Sequence, residues 1–437
     1  MPLLTGEAKL AKSAKHALPE NRYPTLLYVL KNATDKAARI QNELNRESEA
    51  LERLEAAKSD YWPTLQLNGG VQLEQINRQS AENEKRFGAA FNARVRRPIY
   101  HWGAIEAKIE QARITYQQNK LNSRSTYQSL TQKLRRDFLE LILNQIKRRN
   151  AELDREIQQM RQKEKRLKYQ SGELSEDQWS SIKISQKQAT LSLERLKHER
   201  LATKERFRIN SGVPLQQDKL PSRIESLPLK ALKKWLKKQN VFGGHLYQHE
   251  AIKRLRLTLE NEEQEYTRLK ARTRPKLNFS SGVSQSQTNT ANSNSVNTIT
   301  YSGGITVNWN IFDGFETTAL KTESRIKQRR LQRNIDQTRK ELRNKIKTQR
   351  QELLFHIREL ELHEQRHTIH KRNYKQKKKD FEEGLISDIQ WKRATLDHYR
   401  KALKLMQMRS QTMLDIANYL DLLDKDPAAK LIKDNTP

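Results

Sequence analysis

Four features are scarce or absent in this 437-residue chain, and each absence excludes a class of structure. Cysteine is absent, which excludes disulfide bonds and metal sites built on thiolates. Proline and glycine number only 11 and 14, which argues against a disordered or loop-rich chain. No run of about 18 apolar residues occurs, so the sequence predicts no transmembrane helix.

Acidic residues are also in the minority. The chain has 84 lysines and arginines against 52 aspartates and glutamates, which leaves a formal net charge of +32. Charged residues make up 31% of the chain, and the mean hydropathy is −0.96. This composition favours long, solvated helices with thin apolar seams. The positive excess fits a solvated helix surface, or an anionic partner such as lipid headgroups, nucleic acid or an acidic solute.

The sequence repeats itself at a fixed distance. Residues 63–71 return as 275–283, and Ile99-Tyr100, which precedes a glycine-marked turn, returns as Ile311-Phe312. The spacing Gly172-x-x-Ser175-x-x-Gln178 returns as Gly384-x-x-Ser387-x-x-Gln390, and every matched pair lies 212 positions apart. A repeat in unbroken register predicts two copies of one structural unit.

Two hydrophobic periods alternate along the chain. Apolar residues recur every three or four positions, as in packed helices, at about 33–61, 103–169, 175–211, 245–273, 315–383 and 385–423. The period changes to two at 63–98 and 275–311, which predicts two β-hairpins. The stretch 284–298 is rich in Ser, Asn and Thr and is predicted to be a polar loop.

These patterns divide the chain into five parts. They are an irregular leader (1–22), a first repeat (23–212), a linker or equatorial segment with a small helix (213–242), a second repeat (243–423) and a polar tail (424–437). A helix of about 69 residues is about 100 Å long, and two shorter helices stacked end to end match it, which predicts a rod.

The predicted strands have lengths of about 10–13 residues, which suits a membrane-spanning β-strand. Four strands cannot close a barrel, because about eight is the practical minimum. An open sheet in lipid would leave unpaired edges. The sequence therefore predicts that the chain oligomerises if its strands cross a membrane, with three copies supplying twelve strands.

Three groups of residues resemble the TolC-like outer-membrane efflux protein family, over about residues 24–423. The junctions at 61–65 and 274–277 resemble the family's P-x-L start of a strand. The junctions at 98–103 and 310–314 resemble its P-L-F-D-G-G strand exit, with His101-Trp102 in place of Asp-Gly in the first. The turns at 169–175 and 381–387 resemble its Y-x-x-G-x-x-S-x-x-D turn, with Gln178 and Gln390 in place of the Asp.

The resemblance implies a mainly α-helical fold with a β-barrel portion. It implies a homotrimer with a twelve-stranded barrel in the outer membrane and a coiled-coil α-helical tunnel extending into the periplasm. The implied function is a passive exit duct of a tripartite efflux or type I secretion system, conducting solutes or proteins. The implied partners are a periplasmic adaptor (membrane fusion) protein, an inner-membrane pump of the RND, ABC or MFS type, and outer-membrane lipid.

The glycine turns are predicted to form the tip of the tunnel, where the resemblance implies a gate and an adaptor docking surface. The predicted tip residues are Gly172, Ser175, Glu176, Asp177, Gly384, Ser387 and Asp388. A purely structural role is the alternative, with glycine C-caps and serine N-caps followed by acids. The strand positions predicted to face the lumen are Arg94, Arg96, Thr306 and Asn308. The two arginines equally fit positions near lipid headgroups at a strand end.

One catalytic motif is present but carries little weight. His363-Glu364-Gln365-Arg366-His367 fits the H-E-x-x-H zinc motif, yet it lies in a helix dense in such residues and lacks a strongly placed third ligand. We expect no enzyme activity, no metal and no cofactor. The rival hypothesis is a basic cytosolic coiled-coil protein that binds nucleic acid. It explains the charge and the missing signal peptide, but not four alternating strands, so nucleic acid is not the expected partner.

Overall fold

The computed structural model describes residues 14–76, 84–215, 220–238, 246–290 and 293–431. These residues are mainly helical with one small sheet, as the sequence predicts. The helices are α1 (Pro19–Arg22), α2 (Pro24–Lys36), α3 (Ala38–Lys58), α4 (Ala104–Gln170), α5 (Glu176–Ser211), α6 (Leu229–Lys238), α7 (Glu250–Arg272), α8 (Glu316–Glu382) and α9 (Asp388–Leu422). The strands are β1 (Thr64–Ile76), β2 (Glu84–Tyr100), β3 (Lys276–Thr290) and β4 (Ser293–Asn308). Short 3₁₀ turns lie at Ser59–Tyr61 and Pro427–Leu431.

The chain divides into two compact units. The first comprises residues 1–44, 122–250 and 339–437, and the second comprises 45–121 and 251–338. The second unit contains the whole sheet. No helix among the described residues combines the length and the apolar character that crossing a membrane requires.

The helices bury the apolar stripes that the sequence predicts. Along α4 the buried residues include Leu130, Leu134, Phe138 and Leu141, and along α8 they include Ile335, Leu342, Ile346, Leu353, Ile357 and Leu360. In the first unit, the Phe138 ring lies 5.6 Å from that of Tyr23 and 6.4 Å from that of Phe207, measured between centroids. This aromatic cluster joins α4, α5 and the start of α2.

An ionic network is buried in the first unit. Arg135 of α4 is fully buried, and its guanidinium donates through Nε to Glu20 Oε2 at 2.9 Å and through Nη1 to Asp426 Oδ2 at 2.5 Å. Its Nη2 donates to Asp426 Oδ1 at 2.8 Å and also to Glu20 Oε1. Both carboxylates raise the pKa of Arg135, so the cation is firmly retained despite its burial.

Two sequence predictions about the N-terminal region are wrong. The predicted irregular leader ends in helix α1, and Glu20 is buried there. The helix predicted at about 33–61 begins instead at Ala38 as α3, because α2, which Pro24 starts at a position where its missing N–H costs nothing, ends at Lys36. Residues 1–13 of the predicted leader lie outside the described residues.

The four strands form one antiparallel sheet in sequence order, β1-β2-β3-β4. The predicted polar loop at 284–298 is wrong for most of its length, because β3 continues to Thr290 and β4 begins at Ser293. Ladder hydrogen bonds come from the backbone, so Ser, Asn and Thr extend a strand wherever neither face has to pack against a core.

Asp421 gives the first unit a pH dependence that a variant can test. Burial, followed by the nearby charge of Asp426, raises the pKa of Asp421 to about 6. A raised carboxyl pKa means that the folded protein holds this proton more tightly than the unfolded chain. This contribution to stability is therefore present at acidic pH and is lost as the pH rises through about 6. We expect Asp421→Asn to be more stable than the parent at neutral pH, as measured by urea unfolding at several pH values. An equal gain at pH 4 and pH 7 would contradict this explanation.

Candidate functional site

The predicted tip residues lie in two helix–helix turns that share one geometry. In the first turn, Gly172 has φ +79° and its N–H donates to the Tyr169 carbonyl at 3.1 Å. The hydroxyl of Ser175 then accepts the Gln178 N–H at 3.3 Å, while the Gln178 side chain accepts the Ser175 N–H at 3.2 Å. This reciprocal capping box begins α5.

The second turn repeats this arrangement. Gly384 has φ +76°, Ser387 Oγ accepts the Gln390 N–H at 3.3 Å, and Gln390 Oε1 accepts the Ser387 N–H at 2.9 Å. The two glutamines that replace the aspartate of the resembled motif are therefore the capping partners. The S-x-x-Q spacing signals this role in the sequence, although the comparison with the family motif alone predicts only a departure at these glutamines.

The acidic residues of the turns are engaged locally. Glu176 accepts from the Tyr169 hydroxyl and from Ser180 Oγ, and Lys183 Nζ lies 3.7 Å away. The tyrosine hydrogen bond is the main cause that lowers the pKa of Glu176. Asp388 lies 3.4 Å from Lys392 Nζ. Asp177 lies in the first turn of α5, where the helix dipole favours a negative charge.

Stacked aromatic rings support both turns, which the sequence analysis missed. Tyr169 stacks on Trp179 with centroids 5.5 Å apart, and Trp391 stacks on Phe381 at 5.5 Å and on Tyr374 at 5.2 Å. The signal was present, because each tryptophan directly follows a capping glutamine. The stacks tie each pair of helices together beside its turn.

The other predicted residues lie on one face of the sheet. Directly opposed residues of an antiparallel pair point to the same face. The register pairs Arg94 with Gln66 and Gly282, and Arg96 with Thr64 and Ser280. Thr306 pairs with Asn278, and Asn308 with Lys276. By alternation along β3, all four predicted residues share this side, which we call the polar face.

The opposite side of the sheet, which we call the apolar face, is exposed in the single chain. Its residues include Leu65, Leu67, Val71, Leu73, Phe91, Ile299, Tyr301, Ile305 and Val307, each at least 49% exposed. An exposed apolar patch of this size is unusual for a soluble monomer and marks a surface that contacts a partner or lipid.

The two histidines of the H-E-x-x-H motif contact different partners. His363 lies 3.9 Å from Glu359, whereas the ring of His367 stacks on that of His398 with centroids 5.7 Å apart. Burial is the main cause that lowers the pKa of both His367 and His398. In the described part of the chain, no three His, Asp or Glu side chains form a group that could hold a metal ion.

One segment of the chain matches a family model. Residues 245–419 match the family model of the outer membrane efflux protein. This match confirms the resemblance that the junction and turn motifs indicated. No curated protein matches the chain.

Solved outer-membrane proteins share the fold at low sequence identity. The CmeC outer membrane channel of Campylobacter jejuni is 12% identical with a TM-score of 0.71, over 92% of this chain and 86% of that one. VceC of Vibrio cholerae is 14% identical with a TM-score of 0.63, over 92% and 96%. The open MtrE channel of Neisseria gonorrhoeae is 12% identical with a TM-score of 0.64, over 92% and 90%. At these identities the likeness shows the fold alone.

Proposed function

We propose that this chain, whose residues 245–419 match the outer membrane efflux protein family model, is a passive exit duct of the outer membrane. The observation that carries the proposal is the four-stranded sheet with one exposed apolar face and one polar face. In a closed barrel the apolar face contacts lipid and the polar face lines a water-filled lumen.

The sheet supports a trimer. Strands β1 and β4 are the edges of the sheet, and open edges in lipid leave backbone groups without hydrogen-bond partners. Three chains joined β4 to β1 supply twelve strands and remove every edge. The proposed oligomer is therefore a homotrimer with a twelve-stranded barrel, continued by an α-helical tunnel in the periplasm.

The helices support the proposed internal duplication. Helices α4 and α8 are both 67 residues long, and each is followed by a glycine turn and a capped helix. We infer that 23–212 and 243–423 are two copies of one unit, joined by the linker 213–242.

The duct works without chemistry of its own. Energy comes from an inner-membrane pump of the RND, ABC or MFS type, reached through a periplasmic adaptor. The two glycine turns, with Ser175, Ser387 and the acids that follow them, form the gate and the adaptor docking surface. Their rigid caps and aromatic stacks suit a surface that a partner recognises by shape.

Membrane fractionation and particle size test the location and the trimer. We expect the protein in the outer-membrane fraction and at the mass of three chains in detergent, by light scattering with the detergent contribution subtracted. A cytosolic monomer that binds nucleic acid would instead support the rival hypothesis, since its charge of +32 would then be the dominant feature.

Cysteine labelling tests the orientation of the strands on a chain with no native cysteine. We expect cysteines at Ile299, Ile305 and Val307 to be shielded by lipid, and those at Thr306 and Asn308 to react with water-soluble maleimide. Neighbouring positions of one strand point to opposite faces, so Thr306 and Val307 are matched controls for depth. Equal labelling of both faces in intact membranes would remove the barrel assignment.

A further inference from the structure

Three cations lie together on the polar face of the sheet, at the end nearest the helices. Arg94 and Arg96 are in the last part of β2, and Lys276 is the first residue of β3. Ser280 pairs with Arg96 and lies four positions after Lys276 on the same strand, so alternation places Lys276 on the same face. Both arginines are exposed, and Lys276 is half-buried.

The residues paired with these cations across the sheet are uncharged. Across the sheet, Arg94 faces Gln66 and Gly282, Arg96 faces Thr64 and Ser280, and Lys276 faces Asn308. A Cβ added to Gly282 would lie 2.7 Å from the Ala93 carbonyl oxygen, so the close approach of the two strands keeps this position free of a side chain. Arg94 therefore has no side chain opposite it on β3. None of the residues paired with the three cations is acidic.

The other described charge on this face is distant. Glu74 lies eight positions along β1 from Gln66, about 26 Å at the usual rise of about 3.3 Å per residue. This distance exceeds two Debye lengths at about 0.1 M salt, so Glu74 does not offset the cations.

A fourth basic residue, Arg97, lies on the opposite face of the sheet and suits contact with lipid headgroups instead of the lumen. Arg97 follows Arg96 directly and pairs with Phe279, so it lies on the apolar face. Arg97 suits the headgroup position at the end of a strand, where a long basic side chain reaches the membrane surface. Arg94 and Arg96 point to the opposite side, among Asn, Ser and Thr residues.

We propose that Arg94, Arg96 and Lys276 form a cationic ring that makes the duct selective for anionic solutes. The inference rests on the proposed trimeric duct, in which three chains contribute nine cations to one level of the lumen. Rings of Arg and Lys select anions in pores, and a charged channel raises the local concentration of ions of opposite sign. At the turns, Glu176 and Asp388 already have lysine neighbours, so those acids counteract this preference only weakly.

Ion selectivity in a planar lipid bilayer tests the ring. The full-length trimer is inserted under a potassium chloride gradient, and the sign of the reversal potential gives the chloride-to-potassium permeability ratio. We expect the parent to prefer chloride, and the ratio to fall by at least about twofold in Arg94→Gln/Arg96→Gln/Lys276→Gln, because the local field is removed. Arg97→Gln is the matched control and should keep the ratio. Arg94→Lys/Arg96→Lys retains the charge and should also keep it.

The dependence of ion selectivity on salt concentration provides a second test of the cationic ring. Raising the salt from about 0.1 M to about 1 M shortens the Debye length from about 10 Å to about 3 Å, so the preference of the parent should shrink. A duct that conducts without preferring chloride overturns the cationic ring but leaves the proposed duct intact. Loss of selectivity in Arg97→Gln equal to that of the triple variant has the same consequence.

If the trimer conducts no current in the bilayer, a binding measurement tests the cationic ring instead. Pyrene tetrasulfonate, a fluorescent polyvalent anion, is titrated against the trimer in uncharged detergent. Binding to the parent and to Arg97→Gln, with loss in the triple variant, supports the ring, and equal binding to all three overturns it. A protein that is monomeric in both detergent and lipid removes the proposed duct and the ring together.

Discussion

Arg135→Ala should destabilise the folded chain by about 3–5 kcal/mol, the usual cost of removing one partner from a buried ionic network. Arg135 is fully buried, and its guanidinium donates four hydrogen bonds to the carboxylates of Glu20 and Asp426. Removing it leaves two desolvated carboxylates that face each other without a cation. Urea unfolding of the detergent-solubilised protein, followed by circular dichroism, measures the loss.

The neighbouring arginine gives a matched control. Arg136 is exposed, so Arg136→Ala removes the same charge and should change stability by no more than about 0.5 kcal/mol. The triple variant Glu20→Gln/Arg135→Met/Asp426→Asn should recover part of the loss, because it buries no uncompensated charge. If Arg135→Ala were no more destabilising than Arg136→Ala, the network would not hold the chain ends to α4.

This network also shows what the sequence could not predict. Glu20 and Arg135 are 115 positions apart, and Asp426 is 291 positions beyond Arg135. No local period relates them, and a charged residue near a chain end is by default exposed. The leader was therefore predicted to be irregular, although its last four residues form helix α1, whose Glu20 is one of the two carboxylates of the buried network.

Helices and strand faces were predictable because their periods are local. Leu134, Phe138 and Ile346 are buried as the 3.6-residue period predicts. Arg94 and Thr306 share a face as the two-residue period predicts. The extent of β3 was not predictable, because Asn is depleted in ordinary strands, whereas none of the described side chains of this sheet is buried in a core.

Part of the candidate site was also predictable from local sequence patterns, and part was not. The glycine turns follow from Gly172 and Gly384 at fixed spacing, and the caps from the serines that follow. The hydrogen bond from Tyr169 to Glu176 was not predictable, since Tyr169 reaches Glu176 from the end of α4 across the turn. Such contacts depend on how the two helices meet, which no pattern within one helix specifies.

Ile346→Asp is expected to prevent the folded state from forming, because it places an unpaired charge in a dry helix seam. Ile346 is 2% exposed, and Leu342 and Leu353 continue the same stripe at 7% and 1%. Losing the apolar side chain alone costs about 2–5 kcal/mol, and an uncompensated buried carboxylate adds several kcal/mol more. The sum approaches the whole stability of a typical domain, about 5–15 kcal/mol. The variant should therefore give no trimer and a circular dichroism spectrum with reduced helix content.

A charge on the solvent side of the same helix should be harmless. Asn344 is exposed, so Asn344→Asp adds the same carboxylate two positions away and should leave the trimer and the helix content unchanged. Ile346→Val, which keeps the site apolar, should cost only about 0.5–1.5 kcal/mol and still assemble. Because Ile346 is already buried within one chain, the defect of Ile346→Asp must appear in the helix content of the chain as well as in its assembly. A fully helical Ile346→Asp monomer would show that this seam contributes to the contact between chains and not to the fold of each chain.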